Sequence, residues 1–342
     1  MEHQVRCAVL GLGRLGYYHA KNLVTSVPGA KLVCVSDPLK GRAEQVAREF
    51  GIEKWSEDPY EVLEDPGIDA VIIVTPTSTH GDMIIKAAEN GKQIFVEKPL
   101  TLSLEESRAV SKKVQETGVI CQVGFMRRFD PAYADAKRRI DAGEIGKPIY
   151  YKGFTRDQGA PPAEFIKHSG GIFIDCSIHD YDIARYLLGA EITSVSGHGR
   201  ILNNPFMEQY GDVDQALTYI EFDSGAAGDI EASRTSPYGH DIRAEIIGTE
   251  GSIFIGTLRN QHVTILSAKG SSYDIIPDFQ TRFHEAYCLE LQHFAECVRN
   301  GKTPIVTDID ATINLEVGIA ATNSFRSGMP VQLDVKRAYT GM

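Results

Sequence analysis

"VLGLGRLG", residues 9–16, is the stretch on which the fold turns. A β-branched, apolar run over residues 6–12 leads into it and an amphipathic run over 15–25 follows. Gly11, Gly13 and Gly16 therefore stand as G-x-G-x-x-G at a strand-to-helix turn. The first glycine permits the tight turn, the second lets backbone approach a bound group closely, and the third lets helix pack on strand. The loop from Gly11 through Leu12, Gly13, Arg14 and Leu15 to Gly16 thus ends at a helix start. There free N–H groups and a positive dipole end suit a pyrophosphate.

Outward from this turn, short apolar runs over 31–37, 69–76, 93–99 and 119–125 alternate with amphipathic runs over 40–50, 58–65, 80–90 and 103–117. Strands apolar on both faces and separated by helices predict an α/β domain, a Rossmann doubly wound parallel sheet, over residues 1–123. Its second strand ends at Asp37, 21 residues past Gly16, where an acid reaches the ribose hydroxyls of a dinucleotide. A carboxylate there accepts from the 2′-hydroxyl of NAD and repels the 2′-phosphate of NADP. Nearby Lys40 and Arg42 could serve a phosphate or simply open a solvated helix. "VTPTSTH" puts Thr75, Pro76, Thr77 and His80 at the carboxyl edge of the sheet, where they are expected to line the cofactor. Thr79 could cap the helix that starts at His80.

Past Gly124 the texture changes. Helical runs over 131–141 and 174–188 flank a loop, "RDQGAPPAEF", and strand-like runs follow over 193–202, 214–236, 241–256, 262–268 and 273–278. Alternation in "ALTYIEF" and "RAEIIG" predicts a large, mostly antiparallel sheet with one covered face, and helices over 284–300 and 308–327 close the chain. Residues 124–342 read as a C-terminal α+β domain for substrate binding and oligomerisation.

The chain is 42% hydrophobic and 24% charged, with a net charge of −11. That balance argues against a nucleic-acid partner or an anionic membrane surface. Six cysteines, with no CxxC pair, lie mostly in apolar runs and read as reduced core residues of a cytoplasmic protein. No apolar run approaches the ~20 residues that span a bilayer, and the few residues before the first strand leave no room for a targeting peptide.

"VEKPL", residues 96–100, places Glu97, Lys98 and Pro99 at another parallel strand end, with Lys98 directed toward the nicotinamide position. In "GGIFIDCSIHDYDIARYLLG", residues 170–189, Asp175, His179, Asp182 and Tyr186 follow offsets of four, three and four and share one helical stripe. Aligned polar groups on a largely apolar helix need partners. Lys98 from one domain and Asp175 with His179 from the other are expected to converge across a cleft. Oxidation of a secondary alcohol needs a base at its hydroxyl, which suits histidine near neutral pH. Asp175 would orient the imidazole and Lys98 would stabilise the developing oxyanion. A His–Asp pair that only fixes helix packing is the plainer alternative. Zinc at Cys176, His168 and His179 is disfavoured, since no clustered cysteine set accompanies them. No metal is expected. Binding of NAD without turnover, as a sensor, is the reading of another class.

"GLGRLG", "EKP" and D-x-x-x-H resemble the glucose-fructose oxidoreductase, inositol dehydrogenase and rhizopine catabolism (Gfo/Idh/MocA) family over essentially the whole chain. The resemblance implies a catalytic triad of Lys98, Asp175 and His179, and a Rossmann domain followed by an α+β domain whose open sheets pair into dimers and dimers of dimers. Within the family the chain is most similar to bacterial inositol dehydrogenases. "GFMRRFDPAY" then implies Met126 near the nicotinamide and Arg127 near the substrate, Asp182 as a substrate-binding acid, and Tyr238 on the polyol. Where myo-inositol enzymes tend to carry His-Arg-Asn, this chain has Thr155, Arg156 and Asp157, with Thr155 and Asp157 expected at the substrate. The implied activity is NAD-dependent oxidation of an inositol to the keto-inositol, scyllo-inositol before myo-inositol. An NAD(P)-dependent enzyme acting on an aldose is the alternative within the family.

Overall fold

The structure, a computed structural model, describes residues 4–334, which divide into two compact units: residues 4–129 with 285–315, and residues 130–284 with 316–334. Residues 335–342, assigned from sequence to the second domain, lie outside the described residues.

The first unit runs β1 (Val5–Leu10), α1 (Arg14–Thr25), β2 (Ala30–Ser36), α2 (Arg42–Phe50), β3 (Lys54–Ser56), α3 (Pro59–Glu64), β4 (Ala70–Ile73), α4 (His80–Glu89), β5 (Gln93–Glu97), α5 (Leu104–Thr117) and β6 (Cys121–Gly124). Its sheet has the order β3-β2-β1-β4-β5-β6, and every pair is parallel. The order reverses between β1 and β4, so the ligand crevice of such a sheet opens at their carboxyl ends, beside the glycine loop. β3 escapes the sequence reading because three mostly exposed residues, "KWS", carry no apolar run.

The second unit opens with α6 (Pro131–Asp141), β7 (Pro148–Arg156), α7 (Ala163–His168), α8 (Ile172–Asp175), α9 (Ile178–Leu188) and β8 (Ile192–Arg200). It continues through β9 (Gln215–Phe222), β10 (Ala227–Ser233), β11 (Asp241–Gly248), β12 (Ser252–Ile255), a hairpin of β13 (Ile265–Ser267) and β14 (Gly270–Ser272), α10 (Phe279–Arg282) and β15 (Val331–Gln332). The sheet order is β12-β11-β7-β10-β9-β8-β15, antiparallel except for the β7–β10 pair. α9 lies against its inner face, where the Tyr181 hydroxyl meets Thr218 at 3.1 Å and Asp180 accepts from Tyr151 at 3.2 Å and from Thr155. The outer face carries alternating side chains such as Leu217 and Tyr219, 44% and 40% exposed, with Phe254 60% exposed on β12.

Of the closing helices, α11 (His284–Asn300) joins the first unit from Glu285 onward, and α12 (Asp308–Ser327) divides between the two at Leu315. In the first unit, Leu291, Phe294 and Ala295 of α11 complete the cluster of Val5, Val9, Ala20, Val35, Ile72 and Phe95.

Elements of the second unit also differ from the sequence reading. β7 occupies a stretch to which no element was assigned; the expected loop, "RDQGAPPAEF", begins only at its last residue. In place of one helix over 174–188 there are two, because the Ser177 N–H reaches back five residues to Ile172 O at 3.1 Å and interrupts the regular ladder. Such one-turn widenings recur at functional sites. Gly189, in the left-handed region at φ 60, ends α9 as expected. All six cysteines are free, five of them buried.

Candidate active site

The glycine loop in the first unit is built by exclusion. A Cβ on Gly11, where φ is 88, would sit 2.7 Å from Val74 O, and one on Gly16 would sit 1.9 Å from Gly11 O. At Gly13 a Cβ would meet nothing within 4 Å, so this glycine leaves open space in front of the helix start rather than filling a packing contact. No side chain caps α1 and its first turn holds no acidic residue, which leaves the Arg14, Leu15 and Gly16 end receptive to an anion. Leu12 buries its side chain, and its N–H donates to Asp37 Oδ2 at 2.7 Å. The other oxygen of Asp37 accepts from the Leu39 N–H at 2.9 Å. Each oxygen keeps a second lone-pair direction for a ribose hydroxyl. Arg42 donates through Nε to Leu12 O at 3.1 Å and lies over the Tyr17 ring, so it braces the loop.

At the end of β4, Thr75 and Thr77 are half-buried and Pro76 is exposed. The Thr79 hydroxyl bonds to Thr75 Oγ1 and Pro76 O, both at 2.8 Å, and does not cap α4. His80, expected at the cofactor, is held by backbone on both sides of its ring. It is 1% exposed, with Nε2 2.9 Å from Thr75 O and Nδ1 3.1 Å from Pro99 O. It therefore ties the β4 end to the EKP turn. Burial holds its pKa below the ordinary histidine value, against its backbone partners and Glu97.

Glu97, also expected at the cofactor, faces the interior of the unit. Successive residues of a strand face opposite ways, and Glu97 turns inward to His19 Nε2 at 2.7 Å, while half-buried Lys98 follows at the strand end. The Lys98–Pro99 bond is cis. Met126 and Arg127 lie buried in a 3-10 turn, Met126–Phe129.

The second unit gathers a polar set of its own. Asp175 and His179 are half-buried, and Asp182 is buried on α9. Arg234, wholly buried just past β10, donates through Nη2 to Asp175 Oδ2 at 3.1 Å. Burial opposes its charge, but Cys176, Asp175, Asp212 and Asp157 more than offset this, so the guanidinium is held even more firmly protonated than usual. Asp157 faces His240 at 3.3 Å and Cys176 at 3.8 Å. Thr155, expected at the substrate, lies buried on the inner face of β7, where its hydroxyl donates to Asp180. The Tyr238 hydroxyl donates to Asp241 at 2.8 Å and accepts from Arg156 at 3.1 Å, and Arg156 also grips Glu231. Among the described residues, Cys176, His168 and His179 do not form a metal-binding group.

Residues 5–125 match the NAD-binding Rossmann fold of an oxidoreductase family, and residues 137–333 match the C-terminal alpha/beta domain of the same family. The chain belongs to the Gfo/Idh/MocA oxidoreductase family. This Gfo/Idh/MocA chain is 97% identical over 342 residues, all of both chains, to scyllo-inositol 2-dehydrogenase (NAD(+)) of Bacillus subtilis. It is 37% identical to a myo-inositol 2-dehydrogenase of Thermotoga maritima, covering 96% of this chain and 99% of that one. The crystal structure of scyllo-inositol dehydrogenase from Lactobacillus casei with bound NAD(H) and scyllo-inositol superposes with a TM-score of 0.90 at 30% identity, over 96% of this chain and 99% of that one.

Sequence reasoning missed Arg234, Asp212, His19 and Glu290. Each is a single polar residue inside a run that reads as ordinary strand, loop or helix, and its role depends on partners far away in sequence.

Proposed function

We infer that the chain is an NAD-dependent oxidoreductase that oxidises a ring hydroxyl of scyllo-inositol to the keto-inositol. The observation that carries this is 97% identity, end to end, to a scyllo-inositol 2-dehydrogenase (NAD(+)). NAD, when bound, supplies the hydride acceptor. The open space at Gly13, the uncapped start of α1 and the lone pairs of Asp37 fit its pyrophosphate and ribose.

The chain's own residues handle the proton. His179 takes the hydroxyl proton as the C–H electron pair leaves as hydride. Asp175, anchored by Arg234, orients the imidazole and stabilises its charged form. The Lys98 ammonium holds the hydroxyl oxygen as negative charge develops there. Asp182, Asp157, Arg127 and Tyr238 supply hydrogen bonds to a polyol that carries no charge. Further parts of the reading are preference for NAD over NADP through Asp37, a cytoplasmic setting, and a homo-oligomer in which a second copy covers the outer sheet face.

A panel of inositols and aldoses assayed with NAD and with NADP, followed by reduced-nicotinamide absorbance, tests the function. We expect highest kcat/KM with scyllo-inositol and NAD; no reduced nicotinamide with any inositol would overturn it. Lys98→Met and His179→Ala should bind NAD and turn over at least ~1000-fold more slowly.

A further inference from the structure

Behind the EKP lysine, within the first unit, lies a buried cluster of ionisable groups that the proposed chemistry does not use. Glu97, at the end of β5, places Oε1 2.7 Å from His19 Nε2 of α1, and its Oε2 accepts from the Lys98 N–H at 3.3 Å. A Cβ on Gly124 would press 2.9 Å from this carboxylate, so the pocket fits Glu97 closely. Glu290, from α11, is completely buried, and neither of its carboxyl oxygens has a hydrogen-bond partner. One oxygen from each carboxyl group and one nitrogen of the His19 ring all lie within 4.8 Å of one another. The surroundings are aromatic: His19 meets Phe95 and Tyr287 edge-on at 5.5 and 5.6 Å.

Two carboxylates so close and so deeply buried do not both ionise; one keeps a proton. Glu97 has the hydrogen bonds that suit an anion, from His19 and from the Lys98 amide, whereas Glu290 has none. We propose that Glu290 is a positioning residue, kept as the neutral acid beside Glu97, so that a single negative charge remains to seat Glu97 beneath Lys98. Burial, with Glu97 and Cys288 adding to it, pushes the Glu290 carboxyl well above the usual range. The other titratable or charged groups around the cluster are Lys98 beyond β5, Tyr18 beside His19 on α1, Tyr287 on α11, Arg127 after β6 and His80 on α4. The positioning role rests on the assignment of Lys98 to catalysis; the retained proton does not.

Thermal unfolding of wild type and Glu290→Gln between about pH 5 and about pH 8 reads the proton directly. A carboxyl with a raised folded-state pKa binds more protons folded than unfolded. Its contribution is therefore present below the unfolded pKa of about 4.3 and is lost as pH rises toward the folded value. The amide has no such loss, so the Tm advantage of Glu290→Gln must grow with pH; an advantage that stays flat overturns the proposal. Stoichiometric divalent metal in the purified wild type that is lost in Glu290→Gln also overturns it, because a cation there needs both carboxylates ionised.

For the positioning role, Glu290→Leu should lose ~10-fold or more in kcat while still binding NAD, and Glu290→Gln should restore most of it. Wild-type kcat in Glu290→Leu removes that role. Retained turnover in Lys98→Met would instead strike the catalytic reading, and the pH trend of the Tm difference would still report the proton on Glu290.

Discussion

Arg234 shows how one residue places another. Its buried guanidinium faces Asp175, with Asp212 and Asp157 around it, so the Asp175 carboxylate is fixed in direction. Arg234→Met should cost about 3 kcal/mol in unfolding free energy, because Asp175 and the buried Asp212 lose their cation, and should depress kcat more than Arg234→Lys does. Urea unfolding beside steady-state kinetics separates the two effects. Asp37 makes a prediction of another kind. It holds Leu12 and faces the ribose position, so Asp37→Ser should lower the NAD/NADP ratio of kcat/KM by roughly tenfold or more while raising KM for NAD. The glycines, Asp37 and Lys98 were legible in sequence because strand ends and backbone geometry demand them locally. The inward turns of Glu97 to His19 and of Thr155 to Asp180 were not legible, because both partners are far away in sequence.

Among elements, the helices read from apolar periodicity, α1, α5, α6, α11 and α12, keep nearly the expected limits. β7 did not announce itself, since "PIYYKGFTR" opens on proline and contains Gly153. That glycine is explained only by tertiary packing, as a Cβ there would lie 2.7 Å from Asp180 Oδ1. The break between α8 and α9 is likewise invisible in composition, yet it falls between Asp175 and His179. Asp214 organises the segment after β8 in a comparable way. Its carboxylate accepts N–H groups of Leu202, Asn203 and Asn204 at 2.8, 2.7 and 2.7 Å. Burial would raise its pKa, but these donors prevail and hold it below the usual carboxylate value. Because the folded pKa is depressed, this stabilisation is present above about pH 3.9 and is lost as pH falls through the folded value. Asp214→Asn should therefore cost about 2 kcal/mol at neutral pH and less in acid, measurable by denaturant unfolding across pH.

For the whole molecule, the outer face of the second unit's sheet is the surface to test. Leu217, Tyr219 and Phe254 stand there among the Arg156–Glu231 and Lys152–Asp229 pairs, a mixture of apolar anchors and charge that suits a self-complementary interface. Light scattering should give an oligomer for wild type and smaller species for Leu217→Glu with Tyr219→Glu; a monomeric wild type would sink the proposed pairing. A different consequence follows from the path of the chain through its two units. Phe294 of α11 packs against Phe95 at 5.9 Å, yet the whole of the intervening segment from residue 130 to 284 belongs to the other unit. On the ribosome, strands β1, β2 and β5 emerge first and wait for the entire second unit to be synthesised before the helix that covers Val9 and Phe95 arrives. A gene fragment ending at residue 129 should accordingly yield an insoluble product, and supplying residues 285–315 through a linker should restore solubility.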